Sequence, residues 1–124
     1  MKKLLLKRQL LLFFAMMLSA VASLGETVKI DGIWYSLFYN QHSEIYEAHV
    51  TNGNKGISDA IGDIVIPETV EYEGISYRVT EISSRAFYDS EVTSVVIPNS
   101  VTGIWEYAFQ NCTLLTSVTG GKNY

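Results

Sequence analysis

The sequence predicts a mainly β fold in which an N-terminal β-hairpin module leads into a short solenoid of stacked repeats. Three observations predict it. An Asp-Gly pair sits between alternating apolar residues near the start of the folded part, at Asp31-Gly32, and this is a strong short-range hairpin signal. A phrase of aliphatic residues recurs along the second half of the chain. Proline closes that phrase twice, at Pro67 and Pro98.

The chain has 124 residues, and the first two dozen read as an export signal. Met1-Lys2-Lys3, with Lys7 and Arg8, forms a basic start, and Leu10 to Leu18 is uncharged and apolar. Ser19-Ala20-Val21-Ala22 then supplies small residues, and Ala20 and Ala22 fit the A-x-A pattern of a signal-peptidase site. Residues 1–22 are therefore read as a signal peptide, with cleavage after Gly25 as the second choice. The apolar run from Leu10 to Leu24 falls short of the roughly 20 residues that span a bilayer. Secretion or cell-surface localisation is the expectation, with no membrane span left after cleavage.

Cleavage removes Lys2, Lys3, Lys7 and Arg8 but none of the thirteen acidic residues, so the formal charge moves from −4 to −8. A chain this acidic, with no basic cluster, is not built to neutralise phosphates, and nucleic acid is excluded as a partner. One cysteine, Cys112, gives an exported chain no internal disulfide framework. Stability must come from packing.

Residues 23–60 form the N-terminal β-strand module. A two-residue turn at Asp31-Gly32 pairs Ile30 with Ile33 and Val28 with Tyr35. Tyr46, Ala48 and Val50 alternate with Glu47 and His49, giving a third strand whose polar positions are expected to face water. Asn52-Gly53-Asn54-Lys55-Gly56 is a loop by composition.

From residue 61 the pattern changes. Ile61-Gly62-Asp63-Ile64-Val65-Ile66-Pro67 and Val92-Thr93-Ser94-Val95-Val96-Ile97-Pro98 share one template, and Leu115-Thr116-Ser117-Val118-Thr119 starts it again. A second phrase, Val79-Thr80-Glu81-Ile82 with Ala86-Phe87, returns as Val101-Thr102-Gly103-Ile104 with Ala108-Phe109. The step from the first template to the second is longer than the other steps. Its extra residues hold a second hairpin, with Val70, Tyr72, Ile75 and Tyr77 around Glu73-Gly74, an insertion over about 70–79. The shorter steps give a period near 22, within the range of leucine-rich repeats. Each unit cannot cover its own apolar positions, so Val92, Val95, Ile97, Val101, Ile104 and Phe109 are expected to bury against counterparts one repeat away. Residues 61–119 are thus a short leucine-rich-repeat solenoid, and 120–124 a tail.

Several of these phrases resemble the BspA-like leucine-rich repeats of bacterial surface proteins. The carrying residues are Val-Val-Ile-Pro-Asn-Ser-Val-Thr at 95–102, Ala-Phe at 86–87 and 108–109, and Asn111-Cys112. Asp31-Gly32-Ile33-Trp34-Tyr35 and the tyrosine-rich hairpin before the first full repeat are similar to that family's N-terminal module. The resemblance implies a surface protein that binds and does not catalyse. It departs at Ser83 and Trp105, which stand where the family commonly has glycine. It departs again after Thr119, where no Ile-Pro follows. The family usually carries many more repeats, so a truncated or fragmentary repeat protein, or one that self-associates through an uncapped repeat end, is the expectation.

No catalytic, cofactor-binding or metal-binding residues are assigned. His42, Glu44, Glu47 and His49 lack the three or four converging ligands of a zinc site. Glu68, Glu71 and Glu73 read as solvent-facing hairpin residues, and Cys112 as a small packed repeat position. The expected function is protein binding or adhesion through a face formed by the outward positions of the repeated strands: Asp63 and Val65, with Gly62, then Thr93, Ser94 and Val96, then Thr116, Ser117 and Thr119. The alternative is a carbohydrate-binding accessory segment, motivated by the aromatic stretch Trp34, Tyr35, Phe38 and Tyr39.

Overall fold

The computed structural model describes residues 25–120. The signal peptide read over 1–22 and residues 121–124 of the tail lie outside the described residues.

Three strands open the fold as an antiparallel meander: β1 (Glu26–Ile30), β2 (Ile33–Asn40) and β3 (Ile45–Thr51). Asp31 and Gly32 both take positive φ, 49° and 83°, as a two-residue hairpin turn of type I′ requires. The register is the expected one, Ile30 opposite Ile33 and Val28 opposite Tyr35. Alternation then buries Ile33, Tyr35 and Leu37 on one face of β2. Burial pushes the Tyr35 phenol well above its ordinary range.

The chain next runs through β4 (Ile61–Val65), β5 (Thr69–Tyr72), β6 (Ile75–Ile82), β7 (Glu91–Ile97), β8 (Gly103–Ile104) and β9 (Ser117–Gly120). Two sheets result. One has the order β1-β2-β3-β6-β5, with β8 also pairing β6; the other is β4-β7-β9. The pairings β3–β6, β6–β8, β4–β7 and β7–β9 are all parallel. Over the described residues the chain therefore alternates between the sheets as a three-coil solenoid, β3 to β4, β6 to β7 and β8 to β9. The first of these coils begins in β3, within the stretch read from sequence as the N-terminal module.

The second hairpin forms at Glu73-Gly74, again with positive φ at both residues (50° and 80°). Val70 pairs Tyr77 and Tyr72 pairs Ile75. It is less separate than an insertion over 70–79: its second strand runs on without a break through Val79 to Ile82 and carries the first repeated phrase. β5 covers one stretch of the β6 edge and β8 a later stretch of it.

The segments that return from the first sheet to the second are spirals of tight turns. Ala86, Tyr88 and Ser90 donate backbone N–H groups to Ser83, Arg85 and Phe87; one repeat later, Ala108, Gln110 and Cys112 donate to Trp105, Tyr107 and Phe109. Left-handed residues repeat at the same interval, Arg85 with Tyr107 and Asp89 with Asn111. Each is the third residue of its turn, the position where a type II turn needs positive φ. Ser83 and Trp105 thus open the same turn despite lacking glycine. The spirals also bond to each other, Phe87 N–H to Ala108 O at 2.8 Å and Asp89 N–H to Gln110 O at 2.9 Å.

Between the sheets lies one core of Val50, Val79, Ile82, Ala86, Phe87, Val92, Val95, Ile97 and Val101, among others. Phe87 stacks on Phe109 at 5.4 Å between ring centroids. Of the expected core positions, Val92, Val95, Ile97 and Val101 are buried, while Ile104 and Phe109 are only half-buried. Cys112 is one repeat beyond Ser90 and packs against it (Sγ to Oγ 3.4 Å), its thiol donating to Phe87 O at 2.9 Å. It is the small packed residue expected there.

Candidate interaction surface

The β4-β7-β9 sheet turns alternate side chains inward and outward. Ile64, Val95 and Val118 align on the inward side. On the outward side Asp63, Ser94 and Ser117 form one row, and Val65, Val96 and Thr119 the next. Thr116 enters the same face just before β9, its N–H on Thr93 O at 2.9 Å. Asp63, Val65, Thr93, Ser94, Val96, Thr116, Ser117 and Thr119 are thereby brought to a single surface, whereas Gly62 stands opposite the buried Val92 and belongs to the inward row.

One detail differs. The pairing of β4 with β7 slips between Gly62 and Asp63, so that Thr93 is an extra residue in β7. Such a bulge locally re-aims side chains. It lets both hydroxyls of Thr93-Ser94 reach one carboxylate: Thr93 Oγ1 and Ser94 Oγ each donate to Asp63 Oδ1 at 2.7 Å. These two bonds hold the Asp63 carboxyl below its ordinary range. Gly62 supplies a positive φ of 75° beside the slip.

The face is apolar at one corner. Ile61 and Val65 are each 68% exposed and Val96 41%. Only β7 pairs with β4 among the described residues, which leaves its other edge open. An apolar corner at an open strand edge, next to a hydroxyl row, suits a partner that packs and hydrogen-bonds at once.

The other candidate groups are held in place by the fold. Glu47 was expected to face water with His49, but it is buried: the Asn40 side-chain amide and the Ser43 hydroxyl both donate to its Oε2. The bend from β2 to β3 brings these donors in, for Asn40 Oδ1 also accepts the N–H groups of His42 and Ser43. His49 lies 3.8 Å from Glu81 on β6 and meets the Phe38 ring edge-on at 4.7 Å. Burial lowers its pKa, against the raising influence of Glu81 and Glu47. Glu68, Glu71 and Glu73 are exposed, as expected.

The aromatic stretch of β2 is packed. Tyr35 is in the core and Tyr39 meets Tyr46 edge-on. Trp34 carries Gly53 so closely that a Cβ there would stand 2.6 Å from the indole. Its Nε1–H donates to Asp59 at 3.1 Å, and Lys55 stands 4.9 Å from its ring centroid. Desolvation raises the Asp59 carboxyl, but its bond with Lys29, the charges of Lys29 and Lys55, and the Trp34 bond outweigh it and bring the pKa down. The stretch thus pins the loop after β3. No helix among the described residues is long and apolar enough to cross a membrane.

Comparison with known proteins agrees with this architecture. The family described as BspA type leucine rich repeat region (6 copies) matches residues 80–124. No curated protein sequence matches the chain. Among solved structures, a leucine-rich repeat protein from Bacteroides capillosus ATCC 29799 superposes with a TM-score of 0.61 and 26% identity, over 76% of this chain and 64% of that one. A leucine rich cell surface protein from Faecalibacterium prausnitzii A2-165 gives 0.59 and 31%, over 80% of this chain and 24% of that one. A leucine-rich repeat protein from Bacteroides ovatus ATCC 8483 gives 0.55 and 30%, over 73% and 22%. The chain spans less than two thirds of the length of each. With its two-sheet coils, its recurring turn spirals and this match, the chain has the fold of a leucine-rich repeat protein, and residues 80–124 are a BspA-type leucine-rich repeat region.

Proposed function

We propose that the chain is an exported, non-catalytic binding module that attaches to a protein partner at the cell surface through the outward face of β4, β7 and β9. One observation carries this reading: Asp63, Ser94 and Ser117, with Val65, Val96 and Thr119, stand in two aligned rows on an exposed sheet whose first strand has an open edge. The basic-then-apolar leader of the sequence supports export. The likeness to a Faecalibacterium prausnitzii leucine rich cell surface protein supports the location. Short side chains in rows give shape and many small contacts, and the exposed Val65 and Val96 supply an apolar anchor.

The test is a screen of the immobilised chain against purified extracellular proteins, followed by affinity measurement for any hit. Replacing Thr93, Ser94 and Thr116 by Arg, or Val65 alone by Arg, should weaken binding by about tenfold or more, the scale of a lost anchor. Unchanged affinity in folded variants would remove the face assignment. Self-association is a second reading, favoured by the last coil: Ile104, Phe109 and Leu115 are half-buried and Leu114 and Val118 exposed. Sedimentation over a concentration series separates the two, because a stacked pair of copies dissociates on dilution.

A further inference from the structure

We propose that the outer face of the six-stranded sheet carries a second binding site, for a β-linked, gluco-configured oligosaccharide, formed by Trp105, Glu81, Gly103 and His49. The site lies on the opposite sheet from the proposed protein-binding face and does not depend on that reading.

Trp105 opens the turn after β8 and is 56% exposed. Its counterpart one coil earlier is Ser83, which makes the same turn. The repeat therefore needs no large side chain there, and an indole left half in water gains little from burial. Yet the ring is held in place. Its Nε1–H donates to Glu81 Oε2 on the neighbouring coil at 2.7 Å.

Glu81 is the centre of the arrangement. Ser36, His49, Glu81 and Gly103 are register neighbours in one row across β2, β3, β6 and β8. Oε2 is addressed from two sides, by Trp105 and by His49 Nδ1 at 3.8 Å. The other oxygen, Oε1, lies on the side of Gly103, its register partner. The three atoms nearest to a Cβ built on Gly103 all belong to the Glu81 side chain, Oε1 among them at 3.7 Å. The glycine thus leaves room beside a carboxylate oxygen whose orientation is fixed by its partner oxygen.

An exposed indole next to an oriented acceptor that is bordered by a glycine matches the two surfaces of a pyranose. The ring of a gluco-configured sugar carries its axial C–H bonds on its faces and its hydroxyls around its rim. The C–H face would stack on the indole, whose π surface favours such positive edges. Rim hydroxyls would donate to Glu81 Oε1, a charge-assisted bond stronger than one to a neutral acceptor. β-linkage keeps successive rings extended, so a chain could continue along the exposed sheet past His49, whose lowered pKa leaves a neutral imidazole able to donate or accept.

The experiment is a titration of the full chain with cellohexaose, followed by the two indole N–H resonances in a nitrogen–proton correlation spectrum. The Trp105 resonance should shift saturably and the Trp34 resonance should stay. Gly103→Leu keeps the indole and the carboxylate but fills the space beside Oε1. Gly103 does not have a left-handed backbone, and a Cβ there meets its nearest neighbours at ordinary contact distance. It should weaken binding by about tenfold or more, as should Trp105→Ala. If Gly103→Leu does not fold, Glu81→Gln keeps an acceptor for Trp105 and should still weaken binding severalfold. Ser94→Arg on the opposite sheet should bind cellohexaose like the unaltered chain. No shift of the Trp105 resonance at millimolar cellohexaose, equal binding by folded Gly103→Leu, or loss in Ser94→Arg would each overturn the proposal.

Discussion

Val95 and Val118 occupy the same place in successive rungs of the parallel ladder and are register partners, yet Val95 is 1% exposed and Val118 43%. Phe87 and Phe109 differ in the same way, one fully buried and the other half-buried, although they are stacked on each other and each follows an Ala. The residues are alike and the backbone turns are alike. What differs is the neighbour: the second coil is packed from both sides, the third from one side among the described residues. Burial in this fold is therefore a property of the stack and not of the residue, as expected when each unit contacts only the units beside it.

The comparison breaks or holds first on the aromatic pair. Phe87→Ala should destabilise the chain by about 3–5 kcal/mol in denaturant titrations, the usual scale for a buried Phe. Phe109→Ala should cost about half of that or less, since part of its ring already meets water. Equal losses would mean that the third coil is as well covered as the second. A smaller version uses the ladder. Val95→Ala is expected to cost roughly 1.5–3 kcal/mol and Val118→Ala under about 1 kcal/mol.

The first coil offers a test through pH. Burial keeps the His49 imidazole below its ordinary range, despite the raising effect of the Glu81 and Glu47 carboxylates. As pH falls through about 6.5 the unfolded chain takes up that proton before the folded chain does. Stability from this group is therefore complete above that pH and declines below it. Melting temperature should fall between pH 7 and 5, and His49→Gln should flatten that portion of the profile. The lowered Asp59 and Asp63 carboxyls act in the same direction, but only near and below about pH 4. The smallest effect is one that should not differ between coils. Arg85→Gly and Tyr107→Gly each relieve a left-handed backbone, and thermal melts should show both within about 1 kcal/mol of the parent and of each other.

Much of this was legible because it is local. Asp31-Gly32 and Glu73-Gly74 announce two-residue turns, and the alternation around them fixes the register of both hairpins. The ladder rows were legible because Asp63, Ser94 and Ser117 hold the same place in one repeated phrase. The long-range features left weaker traces. Nothing in Tyr46 to Val50 says that β3 pairs in parallel with β6, a strand that comes only after two others. The slips at Thr80 and Thr93 are absorbed by the repeats without an extra apolar residue to mark them. Glu47 looked like a solvent-facing residue because its cover comes from Asn40 and Ser43, whose roles depend on the bend between strands. The contact of Trp105 with Glu81 joins separate coils, and only the absence of the usual glycine at 105 hinted at it.

Residue-resolved amide hydrogen exchange tests the stack most directly, because protection reports the local free energy of opening. The N–H groups of Val79, Ser83 and Ile66, bonded to Glu68, Val50 and Val96, should be protected to the level of global unfolding. Those of Ser117 to Gly120 and of Cys112 and Leu115 should exchange markedly faster, giving a fall in protection from the second coil to the third. Uniform protection across β7 and β9 would contradict the account, since the outer coil would then owe its order to something other than the neighbour on its inner side.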